Sequence, residues 1–339
     1  MLLIDKTACL GQGDSNNTED VHQLPLSTPI LEEGNSKELI GRSEGIVYRK
    51  IGEVGSGCQF DVLICEEIIN GKVSGEKVAI KKRKPTNAGK NALDKEVLFQ
   101  NLFREKLSDS AYDYIKGTIG VQGSQCLIFE YLEGGDIAHY VNSPVKGSER
   151  EEQVATWIRD ILVALAIIHS LGVLHRDLKP SNIIHAGRNG TRAKLIDFGW
   201  VVRFQEPGRK VKGGAGYKFR SPEGHLENYI NNKADIFALG LCTYMLLLGR
   251  HPFLRSGEDF ADSGTSRALI DRIRDENIDF DLPEFKSFSL EAAEFLKLVL
   301  QKDPEQRPDA ILALQDKWFR KFGLDPMIRP GDSWWVKCK

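Results

Sequence analysis

The run His175-Arg176-Asp177-Leu178-Lys179-Pro180-Ser181-Asn182 brings a carboxylate, an ammonium and a carboxamide close together in the chain. Fifteen residues after Asn182 comes Asp197-Phe198-Gly199, preceded by the strand-like AKLI. Asp177 is a group that could orient a hydroxyl or take its proton. Asn182 and Asp197 carry hard oxygens of the kind Mg2+ prefers, and Lys179 adds a cation. Upstream, KIGEVGSGCQFDVLI crowds Gly52, Gly55 and Gly57 into six residues, as a backbone that must turn closely around phosphate does. Where a regular G-x-G-x-x-G-x-V run would place its last glycine, the chain has Phe60. Val78-Ala79-Ile80-Lys81 puts a lysine on a strand. Alone, such a lysine is ordinarily a solvated edge residue, and only the order of motifs singles it out.

With Ser221-Pro222-Glu223 downstream, these motifs resemble, in order and spacing, the signature set of the eukaryotic-type protein kinases over about Ile46 to Phe322. The resemblance implies an α+β, bilobal protein-kinase-like fold, with a small antiparallel-sheet N-lobe and a larger, mainly helical C-lobe. It implies ATP and Mg2+ as cofactors and a protein hydroxyl as acceptor. Asp177 would act on the acceptor hydroxyl, Lys179 on the moving phosphoryl group, and Asn182 and Asp197 on the metal. Lys81 would pair with the α/β-phosphates and with a helix carboxylate. Glu96 has the reach for that pair, while Asp94 is shorter. Ile51, Gly55, Gly57, Val62 and Ala79 would line the nucleotide. Phe129, Glu130 and Leu132 would form gate and hinge, with the backbone of Glu130 and Leu132 meeting adenine. Asp136 either contacts ribose or a basic substrate side chain, or simply caps the next helix. The lysine in HRDLK points to the serine/threonine class. The run from Asp235 to Phe253 looks most like the calcium/calmodulin-dependent group, and no EF-hand loop follows. Glu223 should pair with Arg307 in a buried ion pair, and Asp235 should hold the His175–Arg176 backbone. Removing one partner of such a pair costs about 3–5 kcal/mol.

Several positions depart from that pattern. With Glu96 as partner, the residue four later is Gln100 where such kinases are usually apolar. Gly216 stands where a threonine usually bonds the catalytic aspartate and lysine. The segment GWVVRFQEPGRKVKGGAGYKFRSPE has no Ser or Thr before Ser221, so Arg176 has no obvious phosphate to receive. Before Ser221 it carries the cations Arg203, Arg209, Lys210, Lys212, Lys218 and Arg220 against the single acid Glu206. Acidic substrates and a merely solvated basic loop both fit that count. Phe60, Gln100 and Gly216 together support the alternative of a pseudokinase, a nucleotide-binding or scaffolding module. The Ser221-Pro222-Glu223 and Arg307 apparatus speaks against a small-molecule phosphotransferase. Phe60 falls at the strand return, where β-propensity favours it, and Gly52 reads as a strand-end glycine outside the phosphate cradle. Phe60→Gly is expected to lower the ATP KM modestly.

The elements that must position these groups are legible in outline. IVYRKI, FDVLICEEII and, after the turn NGKVSGE, KVAIKK read as an antiparallel meander. ALDKEVLFQNLFREKL has helical spacing at Leu93, Val97 and Leu98, and CLIFEYL is a buried strand. Val154, Trp157, Ile158, Ile161, Leu165 and Ile168 mark a long core helix ended by Gly172. ADIFALGLCTYMLLLG is apolar all round and belongs inside the second half. Ser289 is a candidate N-cap for SLEAAEFLKLVLQ. These divide the chain into an acidic tail at 1–42, a kinase domain at 43–322 (N-lobe about 43–132, C-lobe about 133–322) and a short C-terminal tail at 323–339. The first tail is a solvated segment or a docking one.

Composition narrows the classes further. With 41% apolar and 28% charged residues the chain is ordinary for a globular protein. No apolar run approaches the roughly 20 residues of a bilayer span. MLLIDKTACL lacks a basic start and a long apolar core, which speaks against export. Leu2 excludes the usual myristoylation, and Cys338 sits too near the end for a prenylation box. The six cysteines form no C-x-x-C pair, so a reducing cytoplasm or nucleus is expected. Residues 1–40 hold seven acids and two bases, leaving the remainder at +3 of a net −2, too little to argue for nucleic acid or membrane partners. A protein substrate and a monomer by default are the expected partners and state.

Overall fold

The computed structural model describes residues 39–43, 45–57, 59–122, 125–186, 191–204, 209–210, 216–226, 229–258, 263–328 and 331–337. Residues 1–38, with the bulk of the acidic tail, lie outside them, as do Cys9, Cys58 and Cys338. The chain forms two compact units, one of residues 1–106 and 116–131, the other of 107–115 and 132–339.

The first unit is a sheet and one helix. Strands β1 (Leu39–Ser43), β2 (Ile46–Ser56), β3 (Phe60–Ile69), β4 (Lys72–Arg83), β5 (Thr118–Gln122) and β6 (Cys126–Glu130) pair in the order β1-β2-β3-β4-β6-β5. The sheet therefore starts at Leu39, inside the stretch read as tail. Asn70 and Gly71 carry φ of 49° and 78°, so the β3–β4 hairpin closes in two left-handed residues. KVSGE, expected as turn, is thus strand, but exposed throughout. Gly52 is not a strand end either: it lies within β2, paired with Ile64 beside a bulge.

Side chains alternate across the sheet. Tyr48, Leu63, Cys65, Val78, Ile80, Cys126 and Ile128 pack on one face. Ala79, Leu127 and Phe129 point to the other, where Leu93 of helix α1 (Asn87–Lys106) covers them. Because the period is two, Lys81 must share the face of Ala79 and meet α1. The inward stripe of α1 is Leu93, Glu96, Phe99, Gln100 and Phe103. Leu98, expected inside, is 39% exposed, since it stands five residues from Leu93 and off the stripe.

The second unit is built on helix α2 (Gly147–Ser170), buried along most of its length and closed by Gly172 at φ 70°. It is the one described helix long and apolar enough to cross a membrane, and 72% of the qualifying window is buried inside the protein. Short strands follow: β7 (Val173–Leu174), β8 (Ile183–Ala186), β9 (Arg192–Leu195) and β10 (Val202–Arg203), with β8 on β9 and β10 on β7. Then come helices α3 (Pro222–His225), α4 (Lys233–Leu248), α5 (Ser263–Asp275) and α6 (Leu290–Val299). Ser289 caps α6 by accepting from Ala292 N at 3.2 Å. A Cβ on Gly240 would come within 2.8 Å of Leu300, so α4 needs glycine there.

Described residues in the stretch read as a C-terminal tail are packed against the rest of the second unit. Ile328 and Trp335 are buried, Trp335 Nε1 donates to Ser170 Oγ at 2.9 Å, and Val336 bridges to Leu107. Two tryptophans near a chain end bury too much apolar area to stay in water.

Arg307, fully buried, donates to both carboxylate oxygens of Glu223 at 2.8 and 2.5 Å and to the carbonyls of Gln301, Lys233 and Lys302. His251 is buried with Nε2 against the Lys218 carbonyl at 3.0 Å, and burial pushes its pKa down to about 3. Its ordinary value of 6.5 applies when the chain unfolds. Below pH 6.5 the unfolded state therefore takes up a proton the fold refuses. Stability is complete above that pH and is lost as pH falls toward 3, with a slope of up to about 1.4 kcal/mol per pH unit. Urea melts at pH 7, 6 and 5 should show this decline, and His251→Gln should flatten it by up to that amount. An unchanged slope in the variant would exclude His251 as the source.

Candidate active site

In the first unit the alternation of β4 and the stripe of α1 bring two opposite charges together. Lys81 Nζ donates to Glu96 Oε2 at 2.7 Å, with the lysine side chain 9% exposed and the glutamate 1%. Asp94, the shorter candidate, lies on the exposed side of α1. Phe60 packs on the Leu93 cluster, and its ring centroid lies 4.4 Å from Lys81 Nζ. The position that lacks its glycine is thus used to cover the lysine with an aromatic face.

The glycine hairpin turns between Ser56 and Asp61, which pair, and Gly57 N donates to the Phe60 carbonyl at 2.8 Å. Gly55 pairs with Val62. Register shifts flank Ile51 and Val54, leaving each as the extra residue of a bulge. Ile51 is 48% exposed. Ala79 pairs with Phe129 and Val78 with Glu130 in the β4–β6 ladder.

In the second unit the residues from His175 to Asp197 form one hydrogen-bonded assembly. Asp177 is buried, and its Oδ2 takes Lys179 Nζ at 3.1 Å and Asn182 Nδ2 at 2.9 Å. Burial raises the Asp177 carboxyl pKa; Lys179 opposes that rise and Asp197 adds to it. Asn182 Nδ2 also donates to the Asp177 carbonyl at 2.7 Å. Both acceptors fix the amide's orientation, so its Oδ1 is left facing elsewhere. Ile196 N donates to the Asn182 carbonyl at 3.0 Å, and His175 Nε2 lies 3.0 Å from the Ile196 carbonyl. His175 Nδ1 accepts from Asp177 N, so the ring proton belongs on Nε2. With both backbone groups of Ile196 held, Asp197 follows at φ 62°, and its Oδ1 accepts from Gly199 N at 3.2 Å.

Arg176 has φ 65°, a left-handed conformation for a branched-out side chain. Asp235 holds it there: its two oxygens accept from His175 N and Arg176 N, each at 2.9 Å. His169 Nε2 completes the set at 2.9 Å. Burial alone would raise the Asp235 carboxyl, yet His169 and these partners hold it below the ordinary value.

Further candidates lie in the same unit. Asp136 caps the turn Ile137–Asn142 by accepting from Ala138 N at 3.0 Å. Gly216 has φ 39°, and a Cβ there would stand 3.7 Å from Asp177 Oδ1. A threonine at 216 would be strained by that backbone, so the family's usual hydroxyl contact is absent. Of the basic loop, Glu206 and Lys212 lie outside the described residues, and only the backbone of Arg209 and Lys210 is described. Lys218 is buried, which removes it from any basic surface. Arg176 Nη1 donates to the Trp200 carbonyl at 3.5 Å.

Sequence reading passed over three buried polar anchors. Arg150 donates to the carbonyls of Leu246, Ser143, Val145, Tyr140 and Val141. Asp160 takes Arg159, Arg192 and Ala193 N. Glu151 accepts from Ser289 N and Trp318 Nε1. Charges at inward positions of the α2 apolar period were the available signal.

Ser221 is 2% exposed, and its Oγ has no hydrogen-bond partner among the described residues. A kinase cannot reach a hydroxyl so placed while α3 stays folded. Ser221→Ala should therefore keep activity within about twofold, because it deletes only an unsatisfied group. Turnover assays beside phosphosite mass spectrometry check this, and abolished activation in a folded variant would refute it.

The protein kinase domain family matches residues 48–319. The chain is 34% identical to calcium-dependent protein kinase 12 of Oryza sativa subsp. japonica over 210 residues, 61% of this chain and 37% of that protein. It is 31% identical to myosin light chain kinase 2 of Bos taurus, covering 85% of this chain and 41% of that one. CDPK-related kinase 8 of Arabidopsis thaliana matches at 30% over 91% and 50%. The chain thus spans half or less of the length of these relatives. Among solved structures, the autoinhibited serine kinase domain of the giant muscle protein titin shares the fold, at TM-score 0.65 and 24% identity over 82% and 81% of the two chains.

Proposed function

The chain belongs to the protein kinase domain family, and on that premise we propose that it is a protein serine/threonine kinase of the calcium/calmodulin-dependent group. It would move the γ-phosphoryl group of Mg-ATP to a serine or threonine hydroxyl of a protein. One observation carries the reading: Asp177 Oδ2 is occupied by Lys179 and Asn182, while Oδ1 has no hydrogen-bond partner among the described residues. That leaves one carboxylate oxygen to accept the acceptor hydroxyl's proton as its oxygen bonds to the γ-phosphorus. The bond from that phosphorus to the β–γ bridging oxygen breaks, and ADP carries the charge away. Lys179, held beside Asp177, neutralises the moving group.

The donor set fits Mg2+. Asn182 has its nitrogen committed to Asp177, so a hard amide oxygen remains, and the Asp197 carboxylate supplies another. Bound there, Mg2+ would neutralise the phosphates. Asn182 and Asp197 would hold it, and Lys81, fixed by Glu96, would hold the α/β-phosphates. Gly55, Gly57, Val62, Ala79, the backbone of Glu130 and Leu132, and Asp136 remain the proposed nucleotide contacts. Ile51, half exposed at its bulge, is a further proposed contact. Three described thiols, Cys65, Cys126 and Cys242, are free and buried, with burial first among the causes that push Cys65 and Cys126 to about 11. They support work in a reducing compartment, cytoplasmic or nuclear.

The test is purified protein with labelled Mg-ATP and a generic protein substrate. Transfer to serine or threonine should appear, and Asp197→Asn should lower it by at least about a hundredfold. ATP binding without transfer, across substrates and metals, would favour a pseudokinase. Phe60→Leu keeps the apolar packing but removes the face on Lys81. It should lower the ATP KM by about two- to fivefold with the substrate KM unchanged; an unaltered ATP KM would show that the ring does not compete with phosphate for the ammonium.

A further inference from the structure

Gln100 occupies the buried stripe of α1 one turn after Glu96, and it is 2% exposed. A buried amide without partners would destabilise this helix. Instead both of its ends are used. Thr118 N donates to Gln100 Oε1 at 3.0 Å, and Gln100 Nε2 donates to the Lys116 carbonyl at 3.4 Å. One further turn along, Arg104 Nη2 donates to the Thr118 carbonyl at 3.0 Å.

The partner is built to be taken. β5 is the last strand of the sheet, so its outer edge has no neighbouring strand to pair with. The β5–β6 register shifts between Thr118 and Gly120, and Thr118 Oγ1 reaches across to the Ile128 carbonyl at 2.8 Å. Thr118 is thereby fixed with its N–H and C=O turned to α1. Glu96, Gln100 and Arg104 follow at intervals of four, so they lie along one face of the helix. The first grips Lys81 on β4, and the next two grip the start of β5.

We propose that Gln100 is a positioning residue for phosphoryl transfer. By fastening α1 to the edge of β5, it holds Glu96 in register with Lys81, so the ion pair is assembled within the first unit without a phosphorylated activation segment. This rests on the kinase reading for its consequence in turnover, but the coupling of Gln100 to the Lys81–Glu96 pair does not.

The full chain without nucleotide is compared by hydrogen exchange with Gln100→Leu, Glu96→Gln, the double variant and Arg104→Met. Gln100→Leu removes the hydrogen bonds to Thr118 N and the Lys116 carbonyl. Amides from Leu93 to Phe103 should exchange about tenfold faster while those of β3 and of α2 do not change. The same variant should lose about tenfold in kcat/KM for ATP, with the protein-substrate KM unmoved. In the Glu96→Gln background it should add less than twofold, because the pair it serves is already broken. Arg104→Met, at an exposed position that does not threaten folding, should show the same pattern at about two- to threefold. Equal losses in both backgrounds, faster exchange throughout the unit, or activity that is unchanged or higher in Gln100→Leu would overturn the proposal. If Gln100→Leu does not fold, the absence of any local effect in Arg104→Met overturns it. A wild type that transfers no phosphate defeats the kinase reading, while the exchange pattern still decides the role of Gln100.

Discussion

The second unit of this protein depends on one buried carboxylate. Arg176 sits at a positive φ that costs roughly 1–3 kcal/mol for a residue other than glycine. Asp235 meets that cost by accepting from two successive backbone N–H groups, and His169 keeps its charge in place. Once the His175–Arg176 backbone is fixed, Asp177 is aimed by its own chain. The His175 ring then reaches the Ile196 carbonyl and so places Asp197. A strained loop is tied to a rigid helix, since Asp235 begins α4, one of the most buried elements of the unit. The precision of the site is therefore a property of helix packing, transmitted through a single side chain.

The first unit solves a similar problem with different means. No strained backbone is needed to bring Lys81 and Glu96 together, because strand alternation and helical spacing already direct them to one interface. What must be managed there is desolvation. Both groups are nearly out of water, where an unmatched charge is far more harmful than a matched pair is helpful. The aromatic face of Phe60 adds a partner for the ammonium that brings no competing proton chemistry.

Charge chemistry and core were the legible parts of the sequence. Motifs such as HRDLKPSN and DFG name their residues because the functional groups lie within a few positions of one another, even though the distant Asp235 is needed to fix the backbone that carries them. Glu223 with Arg307, and Asp235 with the His175–Arg176 backbone, were also foreseeable, since the resemblance assigns both partners. The long-range polar contacts were not. Nothing in the sequence says that Arg150 will find carbonyls of two separate segments, or that Trp335 will return to Ser170. Such pairings form because a buried donor must be satisfied by whatever the fold brings near. The strand at Leu39 was missed for a related reason: edge strands take their order from pairing, and LIGRS has little pattern of its own. Bulges at Ile51 and Val54 were invisible because a register shift is a relation between two strands.

Gln100 shows how a departure from a family pattern changes meaning once its neighbours are known. In the sequence it reads as a loss, a polar residue where apolar packing should seat the helix. In the fold the apolar seat is replaced by two hydrogen bonds, one to Thr118 N at the start of the edge strand and one to the Lys116 carbonyl just before it. Apolar packing tolerates small shifts along a helix, whereas an amide bonded at both ends fixes position and rotation together. Ser221 is buried, and Arg176 donates to the Trp200 carbonyl. A chain with no earlier Ser or Thr in that segment gains most from a helix whose register is set by its own side chains.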